Sequence, residues 1–325
     1  MKAVLYRPPG GSENLYLEHV EEPSPSEGEI LVRNFAAGVN RADLLQTRGL
    51  YPPPPGASEI LGLEFAGEVS HTAPDVKGFS TGDRVFGIVA GGGYAEKLCV
   101  HHRLALRIPD NFSYELAAAT PEVFMTAYEA LFTQGGLQPG ERVLLHAAAS
   151  GVGTAAIQLA LRHQAELIVT AGSEDKIARC RELGAQHGIV YRQEDFAERV
   201  AEITRGEGVD VVVDFVGAPY LEGNLASLRT GGRLVLLGLL GGSSAQIDLA
   251  KVLRNRLRVY GHTLRGRPLE EKIAIAERFN AEVLPDLADG SLKPIIDQVF
   301  VVEDAAMAHE RMENNLNVGK LVLRL

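Results

Sequence analysis

The chain has 325 residues, 46% hydrophobic and 23% charged, which is enough apolar material for a large core and too much for a disordered chain. Its net charge of −10 argues against broad binding to nucleic acid or an anionic membrane, since both need a basic face. Two cysteines, Cys99 and Cys180, make neither a disulfide framework nor a thiolate-rich zinc site, and no apolar run approaches the roughly 18 residues of a membrane span. The opening MKAVLYRPPGG has no signal-peptide core, so a soluble, cytoplasmic protein of two domains is expected.

The first hundred residues read as β-rich. Alternating runs such as EILVRNFAAGV and FAGEVSHTA are separated by Gly and Pro punctuation. From about residue 122 the rhythm changes. VFMTAYEALF has helical spacing, Val143–His146 is a strand, and a helix runs from Gly153 to about His163. Strands and helices then alternate: ELIVTAG, a helix over SEDKIARCRELG with Ser173 as N-cap, GIVYR, a helix over DFAERVAEITRG, VDVVVDFVG, a helix over YLEGNLASLRTGG closing on its glycines, and RLVLLGLLG. This alternation predicts a parallel sheet with helices on both faces. Strand RLRVYGHTL precedes a long helix from about Pro268 to Ala288, and the last thirty residues hold strand IIDQVFVV, helix EDAAMAHERMEN and strand KLVLRL. That tail is like the first segment, so the central domain reads as an insertion between two halves of another.

The stretch VLLHAAASGVGTAA, Val143–Ala156, is an apolar strand, a turn of small residues and a helix start. Such a turn brings backbone N–H groups and the positive end of a helix dipole to an anion, and larger side chains would keep a pyrophosphate out. The dinucleotide fingerprint GxGxxG is present only as Ala148-x-Ser150-x-x-Gly153, with Gly151 and Val152 between. The end of the next strand selects the cofactor. An Asp or Glu there would hold a ribose 2′-hydroxyl, whereas this chain has Gly172-Ser173, which admits a 2′-phosphate. Lys176, one turn into the helix, is in reach, and Tyr191 and Arg192 flank the same place from the following strand. NADPH is favoured. Glu174 and Asp175 leave open a ribose-binding role instead.

Taken together, GGSENLYL, GVNRADLLQTRGLYPPPPGASEILGLEFAG, GGGYAE, AAASGVGTAAIQLA, VTAGSEDK and NNLNVGKLVL resemble the zinc-free quinone oxidoreductases of the medium-chain dehydrogenase/reductase superfamily, nearest the p53-inducible branch. The resemblance spans almost the whole chain. It implies an α/β protein: a Rossmann doubly wound parallel sheet inserted in a GroES-like β-barrel catalytic domain, with 1–121 and 265–325 forming the catalytic part and 122–264 the NADP-binding part. It also implies NADPH as hydride donor, and a quinone or enone as the small-molecule partner.

Zinc-dependent relatives carry Gly-His-Glu where this chain has Gly62-Leu63-Glu64, Asn40 stands at the first zinc cysteine, and the second falls near Glu122. No metal is therefore expected. The nine histidines show no HExxH pattern, and alternation places His101 and His102 on opposite sides of a strand. Catalysis then rests on positioning. Tyr51, which begins the proline-restrained YPPPPG loop, is the candidate beside the nicotinamide, with a packed loop aromatic as the plain reading. By resemblance Asn40 and Asp43 lie on the floor of the same cleft. Asn40 would donate to a quinone oxygen or a bridging water, and Asp43 is either part of the site or a structural acid. Thr126 and the segment Gly238, Leu239, Leu240 and Gly241 are assigned to the nicotinamide end, Ser150 to the nicotinamide or phosphate end, and Lys320 joins the cofactor-binding set. Alternation in RNRLRVYGHTLRGR puts Leu257 and Val259 on one face and the arginines on the other, as a solvated strand. By resemblance this edge near Arg256–Leu264 pairs with its copy in a homodimer. Three functional readings follow: an NADPH:quinone reductase, an NADPH-dependent enoyl or alkenal reductase, or an NADPH-binding structural or RNA-binding protein with little turnover.

Overall fold

The structure is a computed structural model describing residues 1–325. Its strands are β1 Lys2–Tyr6, β2 Leu15–His19, β3 Glu29–Val39, β4 Glu64–Thr72, β5 Arg84–Ile88, β6 Lys97–His101, β7 Ala105–Arg107, β8 Arg142–Leu145, β9 Glu166–Ala171, β10 His187–Val190, β11 Val209–Asp214, β12 Leu228–Leu236, β13 Arg258–Gly261, β14 Ile296–Val301 and β15 Lys320–Arg324. Its α-helices are α1 Arg41–Thr47, α2 Tyr114–Ala118, α3 Pro121–Tyr128, α4 Gly151–Arg162, α5 Glu174–Glu182, α6 Phe196–Ile203, α7 Leu221–Ser227, α8 Leu249–Arg254, α9 Leu269–Glu282, α10 Leu284–Ala288 and α11 Ala305–Glu313. None is long and apolar enough to cross a membrane. The chain forms two units, Met1–Met125 with Leu264–Leu325, and Thr126–Thr263.

In the first unit β1 pairs with β2, and a seven-stranded sheet runs β14-β15-β3-β4-β5-β7 with β6 also on β3. The C-terminal β15 lies antiparallel to the end of β3, with Leu321 opposite Val39 and Leu323 opposite Ala37. The returning tail thus completes the sheet begun by the first segment, and Val39, Leu61, Tyr94, Phe300, Leu321 and Leu323 share one core. The buried Asn34 marks the point where β3 changes partners. Its amide donates to Gly93 O at 2.7 Å and its oxygen accepts Ala66 N–H at 3.2 Å, which replaces ladder bonds lost at the irregularity.

The second unit is a six-stranded, all-parallel sheet of order β10-β9-β8-β11-β12-β13. Renumbered from its first strand this is 3-2-1-4-5-6, the doubly wound order, whose strand sequence reverses between β8 and β11. The central strands are buried on both faces, including all six residues of β11, as the continuous apolar runs predict.

Several expectations are corrected. The helix expected over 268–288 is two helices, α9 and α10, broken at Val283, whose φ is pulled to −119° ahead of Pro285. The helix from Tyr220 ends at Ser227, and Gly231 and Gly232 lie within β12 instead of closing it. After Tyr128 the helical segment continues as a π-helix over Glu129–Gln134. His101 and His102 do not face opposite ways. β6 ends at His101, a 3₁₀ turn begins, and the two rings stack with centroids 5.0 Å apart. Arg256 sits at φ 49° in the turn before β13, and Leu257 belongs to that turn and not to the strand, so Leu257 is buried while Val259 is exposed. Arg265 is buried as well, so the arginines of that stretch do not form one solvated face.

Candidate functional site

In the second unit the small-residue turn leads from β8 into α4. Ser150 caps α4, its Oγ accepting Gly153 N–H at 3.1 Å, and the helix begins at Gly151, two residues earlier than expected. Gly153 admits no side chain, because a Cβ there would lie 2.4 Å from Ala148 O. The Ser150 hydroxyl expected at a ligand is therefore already an acceptor within the cap. Gly151 and Val152 are half-buried in the first turn.

At the end of β9 Ser173 caps α5, its Oγ accepting Lys176 N–H at 3.4 Å. A Cβ on Gly172 would stand 3.0 Å from the Tyr191 hydroxyl and 3.5 Å from Arg192 Nε, so Gly172, Tyr191 and Arg192 are gathered at one spot. Lys176 lies half-exposed on the first turn of α5. Beyond β12 the segment Gly238–Gly241 is pinned to the residues after β11: Leu240 N–H donates to Phe215 O at 3.1 Å and Gly241 N–H to Val216 O at 2.8 Å. Leu239 and Leu240 remain exposed, and Thr126 is half-buried on α3.

Sequence reasoning missed a buried network beneath these loops. His146, at the end of β8, accepts from Thr170 Oγ1 at 2.9 Å through Nδ1 and donates from Nε2 to Asn224 Oδ1 at 2.7 Å. The Asn224 amide in turn donates to Asp214 Oδ2 at 3.1 Å, and Asp214 takes the N–H groups of Val216 and Gly217. Phe196 and Tyr220 pack edge-on against the imidazole. Burial pushes His146 down to about 4, so it is neutral at physiological pH. The signal was present in VLLHAAA, a histidine closing an apolar strand.

In the first unit a charged cluster lies inside the fold. Glu64, fully buried, accepts at Oε1 from the Lys320 ammonium and from Asn40 Nδ2 (2.9 Å), and at Oε2 from Glu122 N–H (3.0 Å). Lys320 also donates to Val39 O at 3.0 Å and Asn40 Oδ1 at 2.8 Å. An ammonium has three donors and all three are spent here, which corrects the assignment of Lys320 to the cofactor. Asn40 is likewise corrected: its amide hydrogens point to Glu64 and to Gly38 O at 3.3 Å, so they are not free for a quinone oxygen. Asp43, the third residue of α1, has no exposed surface; it accepts from the N–H groups of Asn40 (2.8 Å) and Gly62 (3.1 Å) and from the Tyr94 hydroxyl (3.1 Å). It is the structural acid of the two readings. Burial raises it to about 6 against the pull of those donors. His309 Nε2 is 3.1 Å from the same tyrosine oxygen, and burial pushes the ring down to about 3.

Tyr51 stands at the edge of this cluster. Arg265 donates to Ala90 O at 2.7 Å, Tyr51 O at 3.2 Å and Gln46 Oε1 at 2.7 Å, with its guanidinium 5.6 Å from the Tyr51 ring centre. A residue read as surface charge is thus the clamp of the YPPPPG loop. Burial, and then the nearby Glu122, raise the Tyr51 hydroxyl.

The donor set does not fit a zinc ion. Leu63 is buried hydrocarbon, and the oxygens of Glu64, Asn40 and Val39 that face inward already hold the Lys320 cation. No three His, Cys, Asp or Glu side chains come together as a possible metal site.

Residues 26–110 match the family of alcohol dehydrogenase GroES-like domains, and 151–289 match that of zinc-binding dehydrogenases. The cow protein called quinone oxidoreductase-like protein 2 is 32% identical over 96% of this chain and 89% of its own length. The crystal structure of Escherichia coli quinone oxidoreductase complexed with NADPH superposes with a TM-score of 0.91 at 34% identity, over all of both chains. The CurK enoyl reductase superposes with a TM-score of 0.88 at 29% identity, over 99% of this chain and 98% of its own. The doubly wound sheet, the GroES-like first unit and these relatives agree: the chain belongs to the medium-chain dehydrogenase/reductase superfamily and is an oxidoreductase of that superfamily, with quinone oxidoreductases among its relatives.

Proposed function

We propose that the chain is an NADPH-dependent quinone reductase that works without a metal. The observation that carries this reading is the end of β9, where Gly172 and Ser173 replace an acid and Tyr191 and Arg192 gather around the glycine. A carboxylate there would repel a 2′-phosphate, while Arg192 and Lys176 attract one. The acceptor half of the reading is supported by the likeness to quinone oxidoreductases. It is supported also by the ion-paired interior of the first unit, since a quinone takes a hydride without Lewis-acid help.

A reduced nicotinamide, when bound, supplies the hydride. The residues of this chain bind and orient. Amides at the N-terminus of α4 would face the pyrophosphate, with Gly151 bearing no side chain there and Gly153 letting the helix start lie against Ala148 O. Lys176 and Arg192 balance the 2′-phosphate, and the pinned 238–241 loop and Thr126 orient the carboxamide end. Tyr51, backed by Arg265, gives the acceptor an apolar wall that excludes water. Likeness to an enoyl reductase supports a second reading, reduction of a polarised C=C bond. A homodimer is part of the proposal. The edge strand β13 pairs only with β12, and the exposed apolar residues Leu249, Leu253 and Val259 lie on or near it.

The test is a steady-state assay of NADPH oxidation with ortho-quinones, para-quinones and a series of enones, repeated with NADH. Quinone turnover with a clear preference for NADPH is expected. Turnover of enones alone would establish the second reading, and oxidation with neither acceptor class would end both.

A further inference from the structure

The polar groups inside the first unit are nearly all paired. Glu64 accepts from Lys320, Asn40 and the Glu122 amide; Asp43 accepts from Asn40, Gly62 and Tyr94; Lys320 and Arg265 point their donors at named oxygens. Two groups are exceptions: the buried His309 Nδ1, which belongs to a ring held neutral by burial, and the Glu122 carboxyl. That carboxyl sits half-buried in the first turn of α3, and no protein group donates a hydrogen bond to it.

The charges facing it come from five elements. Glu64 on β4 and Asp43 on α1 are negative, Lys320 on β15 and Arg265 before α9 are positive, and Tyr51 lies on the proline loop. Lys320 is already neutralised by Glu64, so ionising Glu122 would add an unbalanced negative charge beside two acids. The N-terminus of α3 would ordinarily favour the anion. Here the amide of Glu122 itself is occupied by Glu64, which brings more negative charge to that turn. Burial first, and then Glu64, raise Glu122 to about 8. At neutral pH it therefore carries an O–H donor with no acceptor in the protein.

We propose that Glu122 is the acid that protonates the reduced acceptor, resting on the reading of the chain as a hydride-transferring reductase. The balance is simple. The nicotinamide loses a hydride and is oxidised by two electrons, and the acceptor gains that hydride and is left with an anionic oxygen or carbon. The Glu122 O–H bond breaks as a new O–H bond forms on the hydroquinone oxygen, or a C–H bond at the enolate carbon. The carboxylate left behind regains its proton from water on its exposed side before the next turnover.

Two measurements on the full-length protein test this. The first is the infrared spectrum of the resting protein at pH 7, wild type minus Glu122→Gln. A protonated-carboxyl band present only in wild type is expected, and its absence overturns the proposal whatever the enzyme reduces. The second is the pH profile of kcat for wild type, Glu122→Gln and Glu122→Asp. Wild type should lose rate as pH rises through about 8. Glu122→Gln should fall by about 10²-fold and lose that limb, because a general acid contributes on that scale. Glu122→Asp should keep the limb. A Gln variant within threefold of wild type, or one that keeps the limb, overturns the donor role. A wild type that shows the band but turns over neither quinone nor enone overturns the functional reading, and the donor role with it.

Discussion

Replacing Lys320 by Met separates a structural role from a cofactor role. The ammonium is 3% exposed at its side chain and Glu64 is 0% exposed, so the pair is sealed from water. Lys320→Met keeps most of the stem volume and removes the cation. Glu64 then keeps two hydrogen bonds, from Asn40 and the Glu122 amide, and loses its countercharge. Breaking a buried pair in this one-sided way costs about 3–5 kcal/mol, because the remaining charge stays buried. For a unit of this size that corresponds to a drop in Tm on the order of 10 °C. The double variant Lys320→Met with Glu64→Gln removes both charges while Gln can still accept from Asn40, and it should recover most of the loss. Denaturant and thermal unfolding of wild type, both single variants and the double variant supply the cycle. A Lys320→Met protein as stable as wild type, with weakened NADPH binding, would refute this reasoning and return Lys320 to the cofactor.

Four further outcomes are expected. His146 is held neutral in the fold, so unfolded chains bind its proton more readily as pH falls from about 6.5 to about 4; stability present above that window is lost through it, by about 3 kcal/mol at most, and His146→Gln should flatten this slope in urea titrations. Lys176→Ala should raise the Kd for NADPH about tenfold, a loss near 1.5 kcal/mol, while leaving NADH unchanged in a fluorescence titration; an equal loss for both would detach Lys176 from the phosphate. Tyr51→Phe should cost less than about tenfold in kcat/KM with a quinone, and equally little with an enone if Glu122 holds the proton, whereas Tyr51→Ala should cost clearly more; a loss of about 10²-fold or greater for Tyr51→Phe with an enone alone would move the proton to the tyrosine. Val259→Asp, on the exposed edge strand, should convert a dimer to a monomer in sedimentation velocity, and unchanged sedimentation would remove β13 from the interface.

The local chemistry was legible in the sequence. Small residues after Val143–Leu145 meant a turn into a helix N-terminus, Ser173 meant a cap, and the βα alternation meant a parallel sheet, because each follows from neighbours a few positions apart. The kinship of the tail with the first segment also showed, since KLVLRL carries the same strand pattern it completes on β3. What the sequence did not reveal were encounters between distant residues. Lys320 meets Glu64 across 256 positions, and Arg265 meets Gln46 across 219. In their own segments Lys320 reads as a cofactor-binding cation and Arg265 as a solvated one, and only the folded register makes them buried, paired ones. Leu257 falls in the turn opened by Arg256 in the left-handed region, outside β13, so it is buried there while Val259 within the strand is exposed. Asn40 and Asp43 were noticed as polar residues near a site. Whether their hydrogens and lone pairs are free is a matter of which atoms surround them, and it is tertiary packing that aims them at Glu64, Gly62 and Tyr94 and leaves the Glu122 carboxyl without a partner.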